Sequence, residues 1–226
     1  IGGVRRIHFK PSPGSSPQGS PGGRTRINFA DLMAQHDKLA KTGTPVTSAG
    51  IIIASLPPSA QNAPHTLCVA SPGGEFMCMV KQWPKGQPIP KVGSKIEFTG
   101  KVQEVKYRPN AEDLANGTTF MHQAYWNSKP FEIVASSIKV EAGGDGTAPI
   151  VTLELAQKAP PGSIVSIQVY LRQVVSSDSA EKYIVVDEGE GGFVAIVTVP
   201  DQFIDSVSSI APGTFMLLKN VIRRGH

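Results

Sequence analysis

The run "PGSIVSIQVYLRQVV", residues 161–175, opens the stretch whose order of elements decides the fold. It is followed by "EKYIVVDEG" (181–189), "GGFVAIVTV" (191–199), "DQFIDSVSSI" (201–210) and "GTFMLLKNVIRR" (213–224). Four of these segments are short, rich in Val, Ile and aromatic residues, and bounded by Gly, Pro, Ser and Asp, which reads as strands separated by turns. The segment at 201–210 instead sets Phe203, Ile204, Val207 and Ile210 on one face of a short helix. The predicted order is therefore a long strand, a hairpin with a third strand, a helix, and a fourth strand.

The same order appears earlier in the chain. "AGIIIASL" (49–56), "HTLCVAS" (65–71), "EFMCMVKQW" (75–83), "SKIEFTGKVQEVKY" (94–107) and "FEIVASSIKV" (131–140) predict five strands. "KVGS" (91–94) and "APGT" (211–214) hold equivalent places, each a turn feeding a strand, and such a repeat of order is how an internal duplication reads. Between the halves, "EAGGDGTAP" (141–149) is a Gly-rich polar seam. Upstream, "INFADLMAQHDKLAKTG" brings Phe29, Leu32, Met33 and Leu39 to helical spacing, with Asn28 or Asp31 as cap and Gly43 as stop. Residues 1–24, rich in Pro, Gly and Ser and carrying Arg5, Arg6, His8, Lys10 and Arg24, have almost no core-forming side chains. The expected division is a flexible basic arm (1–25), an amphipathic helix (26–43), a first β domain (44–140), a linker (141–149) and a second β domain (150–226).

Residues 161–224 resemble an OB-fold domain in this order of strands, acidic-Gly turn, helix and "PGT" turn. Residues 46–140 resemble a second one, with no helix after strand three and a long insertion between strands four and five. The resemblance implies a mainly all-β chain of two tandem OB-fold five-stranded barrels, similar to replication protein A and related single-stranded DNA-binding proteins. OB folds commonly bind oligonucleotides on the face of strands two and three and on the loops after strands one and four. By resemblance the chain is expected to bind single-stranded nucleic acid, DNA more than RNA, through a groove on the first barrel.

Single-strand binding needs cations for the phosphates and aromatic faces for the bases. Lys81, Trp83 and Lys85 lie at the end of strand three. Lys95, Lys101, Lys106, Tyr107 and Arg108 follow strand four into the insertion, which then carries Phe120, Tyr125, Trp126 and Lys129. The loop at residues 56–65 would form the other lip. Trp83, before a proline, reads equally as a cap on the barrel. The lysines read also as the solvated face of an edge strand. Tyr125 and Trp126 are adjacent, so in an extended segment they point to opposite sides and at most one joins a core. The other is left for a partner, nucleic acid or protein.

Charge separates the halves. Residues 1–140 hold sixteen Lys and Arg against eight Asp and Glu, whereas residues 141–226 hold six against ten. A polyanion is drawn to the first part and repelled by most of the second. The second domain and the N-terminal segment are thus expected to mediate protein contacts or self-association, with Tyr170, Phe193 and Phe215 in its core. Asp187, Glu188 and Glu190 read as a polar turn rather than a metal site. Cys68 and Cys78 read as small buried side chains or, facing each other across a hairpin at residues 71–74, as a disulfide pair.

No GxSxG, HExxH or phosphate-cradle motif is present, and the five histidines are dispersed, His36 reading as a surface residue on the helix. A non-enzyme without cofactor or metal is expected. No apolar run reaches the roughly 20 residues that span a bilayer. The expectation is no membrane and an intracellular location, in the nucleus or another DNA-containing compartment. The chain begins at Ile1, which reads as a trimmed or processed start. Two other readings stand beside the binding one. The first is a structural or scaffold subunit of a replication, telomere or viral assembly whose aromatic loop docks protein. The second is a viral coat protein with a basic arm.

Overall fold

The first helix, α1 (Phe29–Thr42), begins where the Asn28 side chain accepts a hydrogen bond from the Asp31 amide at 2.7 Å. It stops where Gly43 turns left-handed (φ 62°) and its amide reaches the Leu39 carbonyl at 3.0 Å. Phe29, Leu32 and Leu39, on the helix stripe, are buried. The computed structural model describes residues 25–56, 64–105, 131–160, 162–176 and 182–224, and all structural statements concern these.

Before α1, β1 (Thr25–Arg26) pairs parallel with the start of β2 (Val46–Leu56). The strands β3 (His65–Ala70), β4 (Met77–Trp83), β5 (Lys95–Glu104) and β6 (Phe131–Ala142) follow. β2 pairs antiparallel with both β3 and β5, β3 with β4, and β5 with β6, while β4 and β6 run parallel. The resulting ring β2-β3-β4-β6-β5 closes on β2. This is a closed five-stranded Greek-key barrel with OB connectivity, in which the first three strands form a meander and the last inserts between the third and fourth. Its interior holds Val46, Ile52, Val69, Val80, Ile96, Phe98 and Ile133, and α1 plugs one end with Phe29, Leu32 and Leu39.

Parity along β3 and β4 decides the cysteines. Val69 lies opposite Cys78 and Cys68 opposite Met79, so the two thiols occupy opposite faces of the same hairpin. Cys78 joins the barrel interior and Cys68 an outer layer, and both are free. Facing each other across the hairpin is therefore excluded, and burial pushes both thiols far above their usual range.

The second half begins with β7 (Ile150–Val151), α2 (Leu153–Lys158) and β8 (Ile164–Ser176), β7 running parallel to β8. Then come β9 (Lys182–Asp187), β10 (Val194–Thr198), α3 (Asp201–Ser208) and β11 (Phe215–Ile222). The sheet order is β10-β9-β8-β11. The first four strands thus follow the first barrel's order, but among the described residues nothing joins β10 to β11, and the second sheet stays open. A second five-stranded barrel is therefore not established: among the described residues this half is an open sheet. Its core is Leu153, Val165, Ile167, Val169, Leu171, Ile184 and Val186.

The Gly-rich stretch between the halves is held in place. Gly144 donates to Ser94 Oγ at 2.9 Å, Gly146 to the Val92 carbonyl at 2.9 Å, and Ala148 to Asn220 Oδ1 at 2.9 Å. A methyl group on Gly144 would stand 2.2 Å from the Val92 carbonyl oxygen and 2.3 Å from the Ser94 amide nitrogen. Both are backbone atoms with little freedom to yield. Gly144→Ala is therefore expected to destabilise the protein by about 1–3 kcal/mol. Gly143→Ala, where nothing lies within 4 Å of the added carbon, should leave the thermal midpoint unchanged.

Candidate nucleic-acid interface

On β5 the inward side chains Ile96, Phe98 and Val102 alternate with the outward Lys95, Glu97, Thr99 and Lys101. Lys95 and Lys101 are exposed and about 20 Å apart along the strand at the usual rise. Between them Glu97 pairs with Arg26 at 3.0 Å, and Thr99 Oγ1 bonds Thr47 Oγ1 at 2.9 Å. On the neighbouring strand Glu132 is buried, pairs with Lys81 Nζ at 2.9 Å and accepts a short hydrogen bond from Gln103 Nε2. The carboxylates of Glu97 and Glu132 are thus each offset by a cation, leaving Lys95 and Lys101 along β5 with the exposed Glu104 at its end.

The sequence grouped Lys81, Trp83 and Lys85 as contacts. Lys81 reaches across from β4 to the buried Glu132 on β6, an ion pair on the outer side of the barrel in which the lysine stays 43% exposed. Trp83 is only 4% exposed and packs in the barrel interior, its indole N–H donating to the Gln87 carbonyl at 3.3 Å. Its ring is a cap and offers no face to a base. Lys85 is exposed in the segment after β4. Lys106, Tyr107, Arg108, Phe120, Tyr125, Trp126 and Lys129 lie outside the described residues, as do residues 1–24 and 57–63.

The face of strands two and three, where OB folds commonly bind, corresponds here to the outer side of β3 and β4. It carries Cys68, Ala70, Met77 and Met79, which form a buried apolar layer with Ile53, Leu56 and Ala148. Val92 and Ile164 pack against it. A carbon added at Gly74, in the β3–β4 turn, would meet Val151 and Val165 at 3.3 and 3.4 Å, so the second sheet abuts this hairpin. The apolar layer has no place for phosphates, and the polar outer strip of the barrel lies instead along β5, β6 and the edge of β4. The run "MCMV" (77–80) hides this, because a strand buried on both sides reads only as hydrophobic.

His36 is also not a plain surface residue. Its ring stacks on Phe131 at 4.7 Å between centroids, and its Nδ1 lies 2.7 Å from the Met33 carbonyl oxygen.

The second sheet exposes what the sequence assigned to its core. Phe193 and Phe215 are 44% and 54% exposed, and Tyr170 is half-buried on the outer face beside Phe215, ring centroids 5.0 Å apart. Arg172 lies over the Tyr170 ring at 5.8 Å and donates from Nε to Asp187. Alternation with the buried Val165, Ile167, Val169 and Leu171 puts Tyr170 on the outer face, and Phe215, its partner across β8 and β11, shares that face. The acidic turn has structural partners: Asp187 also accepts from the Gly189 amide at 2.9 Å, and Glu188 accepts from the Leu153 amide at 2.8 Å at the start of α2.

Arg172 beside Asp187 holds its carboxyl below the usual carboxylate range. The stability this contributes is present above about pH 4, the unfolded value, and is lost as pH falls through the depressed folded value. Asp187→Asn should therefore lower the thermal midpoint at pH 7, and the difference from wild type should shrink as the pH falls below about 4, checked by melting across that range.

The fold and strip define the class as far as it goes: a mainly β chain built on an OB-type barrel with a basic outer edge. No family model and no curated protein sequence matches the chain. Among solved structures it is similar to a provisionally assigned aspartyl-tRNA synthetase from Leishmania major Friedlin, at 12% identity and a TM-score of 0.39, covering 61% of this chain and 24% of that one. It is also similar to the aspartyl-tRNA synthetase of Entamoeba histolytica, at 13% identity and a TM-score of 0.31, covering 61% of this chain and 29% of that one. The chain thus spans less than a third of either, and likenesses this slight do not bear on what it does. No helix among the described residues is long and apolar enough to cross a membrane.

Proposed function

We propose that the chain is a non-catalytic binder of single-stranded nucleic acid, DNA in preference to RNA, and that the second sheet docks protein. The observation that carries the first part is the basic outer strip of the barrel. Exposed Lys95 and Lys101 follow β5 toward residues 106–130, whose Lys106, Arg108 and Lys129 continue the charge and whose Tyr125 and Trp126 supply rings. The path so proposed runs along β5 rather than across β3 and β4, and it does not include Trp83. For the second part, eight of the ten exposed large hydrophobic residues among those described fall between Ile150 and Ile222. Apolar side chains concentrated in this way mark interaction surfaces.

Backbone contacts by lysine predict affinity that falls steeply with salt and depends little on sequence. The test titrates labelled single-stranded DNA and RNA of equal length against the wild type and a Lys95→Ala, Lys101→Ala double variant at two salt concentrations. Weaker binding by the double variant with a shallower salt slope supports the strip, and tighter binding of the DNA supports the preference. Absence of wild-type binding at the lower salt sinks the proposal.

A further inference from the structure

The outer strip of the barrel holds a cation that the pattern of β5 does not announce. Arg26 belongs to β1, and hydrogen bonds on both sides of it fix its backbone against β2. The Thr25 amide donates to the Pro45 carbonyl at 3.3 Å and the Ile27 amide to the Thr47 carbonyl at 2.9 Å. Ile27 itself packs against the barrel core. Val46 and Thr47 of β2 pair with β1 on one side and with β5 on the other. Arg26 Nη2 nevertheless stands 3.0 Å from Glu97 Oε2, so the long side chain crosses β2 to reach β5.

Its head arrives at a particular place. Glu97 is two residues from Lys95 and four from Lys101, so the guanidinium lies roughly 7 Å and 14 Å from them along β5 and fills the interval between the two lysines. On β6 the register partner of Glu97 is Lys139, which is exposed and also pairs with Glu141 at 2.8 Å. The row across the strip is therefore cation, carboxylate, cation.

The pair contributes little to folding. The Arg26 side chain is 79% exposed and that of Glu97 30%, and water screens charges so placed while two long side chains lose freedom to meet. The same exposure makes the pair exchangeable. A backbone phosphate carries one negative charge, as the carboxylate does, and offers two oxygens to the guanidinium fork.

Resting on the reading of the β5 strip as the nucleic-acid path, we infer that Arg26 is a further phosphate contact of that path and that Glu97 holds the phosphate's place in the free protein. On binding, a backbone phosphate takes the guanidinium and the carboxylate is released to water. Glu97 thereby lowers affinity, because each strand that binds breaks the pair and leaves a carboxylate beside its phosphates.

The test titrates labelled oligothymidylate against the full chain and its Arg26→Ala, Glu97→Gln and Arg26→Ala, Glu97→Gln variants over a range of salt. Arg26→Ala is expected to weaken binding and to reduce the salt slope by about one, the share of a single phosphate contact. Glu97→Gln is expected to tighten binding. Its gain should be about twofold to fivefold larger with Arg26 present than in the Arg26→Ala background, the factor that an exposed ion pair contributes. Unchanged affinity and slope in Arg26→Ala overturn the inference. Equal gains from Glu97→Gln in both backgrounds overturn it too, since the carboxylate then acts only by repelling the strand. Weaker binding by Glu97→Gln also overturns it, by making the carboxylate a support for Arg26. In these three cases the wild type still binds and Lys95→Ala, Lys101→Ala still weakens it, so the strip survives. Absence of wild-type binding removes both.

Discussion

Trp83→Ala is expected to lower stability by about 3–5 kcal/mol, the range for removing a large aromatic side chain from a packed core. In a chain of 226 residues that corresponds to a fall in thermal midpoint of roughly 10 °C. The cause is geometric. The indole sits among Val80, Val102 and the rest of the barrel interior, and its N–H has the Gln87 carbonyl as partner. Truncation leaves a cavity that a closed barrel cannot collapse around, because every wall strand is tied to two neighbours. Affinity for single-stranded DNA, measured well below the midpoint, should stay at the wild-type value. A loss of affinity at unchanged stability would return the ring to the interface and contradict its buried position.

The second large effect is expected from Tyr125→Ala, Trp126→Ala. If each ring stacks on a base at roughly 1–3 kcal/mol, the double variant loses about 2–6 kcal/mol of binding free energy, more than tenfold in affinity. The single variants should be unequal. If the two adjacent residues face opposite ways, as they would in an extended segment, one ring meets the strand more squarely than the other. Fluorescence anisotropy with a short oligonucleotide reads this directly, and the thermal midpoint should hardly move. Full retention of affinity in the double variant would shift the binding site onto the β5 strip alone.

Much of the barrel was legible because its signals are local. Asn28 and Gly43 bracket α1 as the sequence predicted, since capping depends on residues three or four positions apart. The hairpin turn at residues 71–74 and the strands beginning at His65 and Phe131 follow from turn chemistry and β-branched runs. β1, β7 and α2 were missed because two to six residues give too little periodicity to read. In the site, the basic character of β5 was readable from alternation alone. The use of Lys81 was not, because Glu132 lies 51 positions away in the chain and meets it only where β4 and β6 run side by side.

By itself, then, the sequence determined the kinds of element, their order, the helix caps and the division of charge between the halves, all of which depend on neighbours in the chain. Only the tertiary structure decided which faces are inside. It placed Trp83 in the core, set Cys68 and Cys78 on opposite sides of one hairpin, turned Phe193 and Phe215 outward, covered the outer side of β3 and β4, closed the first ring and left the second open. Each of these depends on which strands pair and in what register. A shift of one reverses every side chain beyond it, and no local pattern records where it falls.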